Sequence, residues 1–230
     1  MQRPYIICHM VTSLDGKVTG DFLYTKECEK ATEVYYEINR NTKSNGFICG
    51  RTTMEESFTN GHYPELSGYN QVDEMEDFVP GNLTGFYAIA FDTYGKLGWK
   101  SDKIIDEDPG YGGAQIIEVL SKQADERYLA YLRELNIGYI FAGEKEIDVE
   151  LALFKLKNTF GINTLLLEDG SMINASFQKA DLIDELSLVV APIVADKESK
   201  PLFYDSVISN YKLINSNTQD GALVLNYKRK

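Results

Sequence analysis

The stretch of this sequence best equipped for chemistry is Leu165-Leu166-Leu167-Glu168-Asp169-Gly170-Ser171-Met172-Ile173-Asn174. An apolar run meets two acids and turns at a glycine. Beyond it Ile173, Phe177 and Ala180 are spaced by four and then three residues, which places them on one helix face. A glycine at such a junction lets a ligand approach the backbone, and the free N–H groups and positive dipole end of a helix start attract phosphate. The same pattern also serves as a plain strand–turn–helix connection. Glu168 is one of the two acids that close the apolar run. Asp15, Asp21 and Glu27 are further carboxylates near loops and helix starts, where turn and cap duties compete with any role in a site. Gly50-Arg51-Thr52-Thr53 forms a second glycine-to-helix junction. Arg51 offers a fork of donors suited to phosphate, or a solvated surface charge, and Thr52 or Thr53 can cap the helix.

Alternating strands and helices must position these groups. Tyr5 to Val11 is an apolar run of strand length, closed by Thr12-Ser13-Leu14-Asp15-Gly16-Lys17. Ala31, Val34, Tyr35 and Ile38 follow helical spacing, with Thr25 as the expected N-cap. Phe47 to Cys49 reads as a short strand, and residues 59–84 have no clear period. That segment holds Gly61, Pro64, Gly68, Pro80, Gly81 and interleaved aromatics, the composition of an ordered flap or insertion. Phe86 to Phe91 and Ala114 to Leu120 resume strand character, with irregular sequence from Gly98 to Gly113. Asp125 and Asp148 are expected to cap two helices, the second ending at Gly161. A long strand is expected from Glu185 to Val194. Two closing strands, near Tyr211–Asn215 and Ala222–Tyr227, are joined by a turn in 217–221. The pattern predicts one α/β domain spanning residues 1–230: a mostly parallel central sheet, flanking helices and antiparallel C-terminal edge strands.

Composition narrows the function classes. With 230 residues, 43% hydrophobic and 25% charged, the chain reads as a globular protein with an ample core. No apolar run approaches a membrane span, and the N-terminus passes directly into strand-like sequence with no visible signal peptide. Cys8, Cys28 and Cys49 are odd in number and widely spaced, which favours reduced thiols in a cytoplasm over disulfides or a metal site. The net charge of −12 argues against nucleic acid or anionic membrane as partner. A phosphorylated small molecule needs only a few local donors.

Three blocks of residues, in order, resemble the reductase domain of bacterial riboflavin-biosynthesis deaminase–reductases, related to dihydrofolate reductase. The blocks are Arg3-Pro4-Tyr5 through Ser13-Leu14-Asp15-Gly16-Lys17, Cys49-Gly50-Arg51-Thr52-Thr53-Met54-Glu55-Glu56, and Leu166-Leu167-Glu168-Asp169-Gly170-Ser171 continuing through Ala180 to Leu186. The zinc-deaminase signature His-x-Glu…Pro-Cys-x-x-Cys does not occur in these 230 residues. The resemblance implies a dihydrofolate-reductase-like fold, NADPH as cofactor, hydride transfer to a small heterocyclic or sugar-like substrate, no metal, and a homodimer. It implies that Val11, Thr12 and Ser13 flank the nicotinamide, that Gly50, Arg51, Thr52 and Thr53 hold phosphate, and that Gly170, Ser171, Met172, Ile173 and Asn174 cradle the pyrophosphate. Glu168 becomes the carboxylate facing substrate, with Asp15 as the other catalytic candidate and Thr25, Glu27 and Ser57 as substrate-side candidates.

The chain also departs from the family pattern. Asp169 is an anion beside the expected pyrophosphate. Ser57 falls where the family has an aspartate for substrate, and Asn41 where it has an arginine. These departures suggest that the ribosylaminopyrimidine phosphate is not the substrate, or that the 59–84 flap supplies other contacts. They favour a nucleotide-binding module without catalysis as one alternative; dihydrofolate reduction is the other. The family's glycine turn further implies a cis peptide at Asp169–Gly170, a conformation that costs a non-proline bond about 3–4 kcal/mol.

Overall fold

The computed structural model describes residues 2–230. In chain order the elements are β1 (Tyr5–Thr12), α1 (Lys26–Asn41), β2 (Gly46–Gly50), α2 (Arg51–Met54), β3 (Tyr87–Phe91), β4 (Gln115–Leu120), α3 (Glu126–Glu134), β5 (Gly138–Phe141), α4 (Val149–Phe160), β6 (Thr164–Leu167), α5 (Ser171–Lys179), β7 (Glu185–Val190), β8 (Tyr211–Gln219) and β9 (Ala222–Arg229). A 3₁₀ turn precedes α1 at Asp21–Tyr24, and a π turn, Glu55–Thr59, continues α2. The chain packs as two compact units, one of Ser44–Leu165 with the residues up to Pro4, the other of Tyr5–Lys43 and Leu166–Lys230.

In the first unit β2, β3, β4 and β5 pair in parallel, with Cys49 opposite Ala90 and Ala90 opposite Glu118. Every residue of these strands is buried, so they read as apolar runs without alternation, interrupted on β4 by Gln115 and Glu118. Asp125 and Asp148 cap α3 and α4 by accepting from Arg127 N and Leu151 N, as expected. Gly161 closes α4 at φ 69°, a left-handed value that favours glycine. Residues 60–86 form no helix or strand apart from a bridge between Phe78 and Tyr139, yet the segment is tied down along its length. Asp77 accepts from Phe141 N at 2.8 Å and pairs with Lys155 at 2.8 Å. Tyr69 lies edge-on to Tyr131, and its hydroxyl donates to Glu134 at 3.1 Å. It is an ordered strap over β5, α3 and α4.

In the second unit β1 and β7 pair in parallel, and β7, β9 and β8 pair antiparallel in that order. Val11, Phe22, Cys28, Ala31, Val34, Val189, Ala191, Ala222 and Val224 form its apolar cluster, so α1 buries one stripe against β1, β7 and β9. Thr25 caps α1 by accepting from Cys28 N at 3.3 Å. Several details differ from expectation. β7 stops at Val190, four residues before Val194. The closing hairpin is longer than expected, because its turn is only Asp220-Gly221, at φ 49° and 86°. Two left-handed residues give the tight turn whose twist matches long paired strands. On α5 the buried side chains are Ser171, Asn174, Ala175, Phe177 and Gln178, so the stripe is partly polar and rotated from Ile173 and Ala180.

Candidate functional site

Within the second unit the expected site residues converge on the ends of β1 and β6 and the start of α5. Val11 is part of the apolar cluster, and Thr12 and Ser13 are buried just beyond it. The Ser-Leu-Asp-Gly-Lys turn is locked internally. Ser13 Oγ donates to Asp15 Oδ1 at 2.7 Å and accepts from Lys17 N at 2.9 Å. Ala195 N donates to the same Asp15 oxygen at 3.0 Å, and that bond, with the Ser13 hydroxyl, holds the Asp15 carboxyl below its usual range. Asp15 therefore has a structural duty as a turn lock.

Residues 200–204 connect this turn to α5. Leu202 N donates to Gly16 O at 3.0 Å, Ser171 Oγ donates to Pro201 O, and Tyr204 N donates to Ser171 O at 3.1 Å. No side chain caps α5, whose N-cap is Gly170 at φ −72° and ψ 177°. A methyl group added at Gly170 would meet only Thr19 Cγ2, at 4.0 Å. An uncapped helix start with open space at its glycine is the local geometry that accepts an anion. Met172 is exposed there, while Asn174 is fully buried and donates from its amide to Asp169 O at 2.8 Å.

The expected cis peptide at Asp169–Gly170 is absent: no described peptide bond is cis. An extended, trans-linked Gly170 already serves as N-cap, so the turn closes without the cost of a cis bond. Asp169 is 7% exposed. Its charge acts inward on Cys8, whose thiol is pushed up first by burial and then by the Glu168 and Asp169 carboxylates. The anion that threatened the phosphate reading is thus a buried side chain and not part of an open surface.

Glu168 lies one residue past β6 and is 6% exposed. The amide of Asn39, itself buried on α1, donates to Glu168 Oε1 at 2.8 Å. One turn earlier, Tyr35 stacks on His9 with ring centroids 4.3 Å apart, and His9 Nε2 lies 3.0 Å from Tyr35 O. Burial lowers His9 to about 4, against weaker opposing pulls from its carbonyl partners, so the ring is neutral near pH 7. Neither His9 nor Asn39 was singled out by sequence. The available signal was Asn39 itself, a polar residue four after Tyr35 and eleven after Cys28, on the apolar stripe. Of the other substrate-side candidates here, Thr25 is occupied as an N-cap and Glu27 is exposed in the first turn of α1.

In the first unit α2 is a single turn whose N-cap is Gly50, so Thr52 and Thr53 lie inside the helix and do not cap it. The extended Gly50 already occupies the position a capping side chain would need. Arg51 pairs with Glu55 one turn on, a partly exposed bond of the kind worth at most about 1 kcal/mol. Ser57 is exposed on the following π turn. Among the described residues no group of three or more His, Cys, Asp or Glu is arranged to hold a metal, and no helix is long and apolar enough to cross a membrane.

With this geometry in place, kinship can be read. The RibD C-terminal domain family matches residues 110–225, half of the chain. The chain belongs to that family. It is 26% identical to the 2,5-diamino-6-ribosylamino-4(3H)-pyrimidinone 5′-phosphate reductase of Aquifex aeolicus over 207 residues, covering 87% of this chain and 82% of the relative. It is 27% identical to the reductase of the same name from Methanothermobacter thermautotrophicus, covering 87% and 83%. The structure matches Acinetobacter baumannii RibD with a TM-score of 0.67 at 18% identity, over 99% of this chain and 58% of that one. The chain thus spans little more than half of that longer protein. The fold is the RibD-type, dihydrofolate-reductase-like one: a mostly parallel sheet with flanking helices and antiparallel C-terminal strands.

Proposed function

We propose that the chain is an NADPH-dependent reductase of riboflavin biosynthesis, acting on a ribosylaminopyrimidinone phosphate of the kind its relatives are named for. The observation that carries this reading is the pairing, within one unit, of a buried strand-end carboxylate with an uncapped helix start. Glu168 can accept from the N–H edge of a pyrimidinone, and the Ser171–Ile173 amides can bind a phosphate diester of a dinucleotide. The residues fit the cofactor: Gly170 leaves its Cβ position open, and Asp169 is buried. Within the second unit Gly170 to Asn174 would hold the pyrophosphate and Val11 to Ser13 would flank the nicotinamide; within the first, Gly50 to Thr53 is a separate candidate for holding phosphate. Bound NADPH supplies the hydride, and the chain supplies orientation and exclusion of water. The Arg51–Glu55 pair is weak enough for a phosphate to displace Glu55.

Two observations favour a second reading, a nucleotide-binding module without turnover. Asn41 donates to Glu37 O on its own helix, and Ser57 is an exposed hydroxyl, so neither replaces the charged substrate contacts expected at those positions. Fluorescence titration with NADPH, followed by steady-state oxidation with the pyrimidinone phosphate, separates the readings. Micromolar binding with turnover is expected. Absence of binding at millimolar NADPH rejects both, and binding without oxidation selects the module. Dihydrofolate in the same assay tests the remaining substrate class. The reading extends to a cytoplasmic homodimer, supported by Leu213, Ile214 and Leu223, which the terminal hairpin leaves exposed. Sedimentation of a single 26.0 kDa species would reject the dimer.

A further inference from the structure

We propose that Asn39 is a positioning residue for Glu168: its buried amide holds one carboxylate oxygen and so fixes the plane the acid presents to the substrate's N–H edge. The inference rests on the reading that Glu168 faces substrate. Its physical basis is the cost of an amide on an apolar helix face. The other buried positions of α1 are Cys28, Ala31 and Val34, and Asn39 is 5% exposed beside them. A buried amide is tolerated where its donors are spent well, and a hydrogen bond to a carboxylate is among the stronger ones available. Its length, 2.8 Å, is that of a charge-assisted bond.

The helix beneath Asn39 is itself held in place. His9, on β1, stacks on Tyr35 and meets its carbonyl, while His9 Nδ1 lies 3.0 Å from Ser187 Oγ on β7. The last turn is closed by Thr42, whose hydroxyl donates to Ile38 O at 2.7 Å. Asn39 therefore reaches Glu168 from a turn of helix fixed on both sides. A binding carboxylate that must meet donors in one plane gains from such support, because misorientation by a fraction of an ångström weakens every bond it makes.

Three variants test this. Asn39→Ala removes the donor, and kcat/KM for the pyrimidinone phosphate is expected to fall about 10- to 100-fold, the range for a hydrogen bond to a charged group. The loss should sit in KM, with NADPH affinity little changed and the melting temperature lowered by the donor lost from a buried carboxylate. Asn39→Asp sets a second carboxyl against Glu168, and two such groups in contact do not both ionise readily. It should be rescued towards wild type at acid pH, where the introduced carboxyl keeps a proton to donate, and should fall to the Asn39→Ala level as pH rises. The other titratable groups at this place are His9, neutral above about 4, Cys8, whose thiol is pushed up by burial, and Asp169 beside Glu168. The two neutral groups do not generate that profile, and Asp169 is common to wild type and variant. A merely structural role for Asn39 predicts no acid rescue.

An Asn39→Ala enzyme within twofold of wild type overturns the inference, as does an Asn39→Asp profile that follows wild type. Glu168→Gln separates this from the parent reading. If Glu168→Gln is impaired and Asn39→Ala is not, only the positioning role fails. If Glu168→Gln is unimpaired, the substrate-facing role of Glu168 fails, and this inference with it. A crystal structure of Asn39→Ala gives a readout independent of turnover: the Glu168 carboxylate should leave its wild-type position, and finding it unmoved rejects the proposal. Should Asn39→Ala not fold, Asn39→Ser and the Asn39→Asp pH profile address the same contact.

Discussion

Two glutamates are buried in this protein, and their neighbours differ. Glu118 sits in the middle of β4, fully buried, where Trp99 Nε1 and the Tyr128 hydroxyl both donate to its Oε1. Asp92, just past β3, points to the same side of the sheet, since Ala90 is the partner of Glu118 and side chains alternate. Asp92 accepts from Lys96 N and Leu97 N through Oδ2, while its Oδ1 and Glu118 Oε2 have no hydrogen-bond partner among the described residues. Glu168 instead stands beyond a strand end, where the Asn39 amide orients it. Interior position and aromatic donors make Glu118 part of the scaffold, and the substrate role proposed for Glu168 sets it apart. The comparison breaks most directly with Glu168→Gln, which preserves shape and changes one acceptor to a donor. About 100-fold loss of kcat/KM is expected, roughly 2.7 kcal/mol of transition-state stabilisation, with little change in melting temperature. The reverse result, unfolding with activity retained in the folded fraction, would make Glu168 a scaffold residue like Glu118.

For Glu118 the expected effect is on stability. Replacing it by leucine strands the Trp99 N–H, while Tyr128 keeps Leu97 O at 2.9 Å, so a loss of about 1–3 kcal/mol is expected by chemical denaturation. Glu118→Gln keeps the acceptor and adds a donor towards Asp92. Burial, followed by the Asp92 charge, pushes the Glu118 carboxyl well above its ordinary 4.5, and burial also raises Asp92. The sign follows. Above 4.5 the unfolded chain gives up this proton while the folded chain keeps it, so stability falls as pH rises towards the raised folded value. Wild type should therefore lose stability relative to Glu118→Gln as pH rises above 4.5, and parallel melting curves over that rise would show that no proton is held there.

This contrast also marks what could be read from the chain alone. Strand–helix alternation, the caps Thr25, Asp125 and Asp148, and the closing hairpin follow from local chemistry, and local chemistry is written in consecutive residues. Glu168 stood out for the same reason, standing between an apolar run and a glycine. Glu118 did not, because a lone acid inside an apolar strand gains its meaning from Trp99 and Tyr128, 19 and 10 residues away. Asn39 was missed for a larger version of the same reason, since its partner lies 129 residues on. The cis peptide and the Thr52 or Thr53 cap were misread because both junction glycines, Gly50 and Gly170, adopt extended trans geometry and serve as N-caps themselves.

The two helix starts of the second unit sharpen the comparison at its smallest scale. α1 spends the Thr25 hydroxyl on Cys28 N, while α5 leaves its first amides without a side-chain cap. A capping side chain occupies one of the free donors of a helix start, and a start without one keeps that donor for a ligand. Thr25→Ala should accordingly cost about 1 kcal/mol of stability and leave KM for substrate unchanged. Gly170→Ala is the converse. The φ of −72° suits alanine, and its new methyl group meets nothing closer than Thr19 Cγ2 at 4.0 Å, so stability should hold or rise slightly. The same methyl stands where a phosphate would approach the backbone, and NADPH affinity should weaken about tenfold, close to 1.4 kcal/mol. If Thr25→Ala raised KM, or if Gly170→Ala bound NADPH as tightly as wild type, the division between a start that builds the fold and a start that holds the cofactor would be wrong.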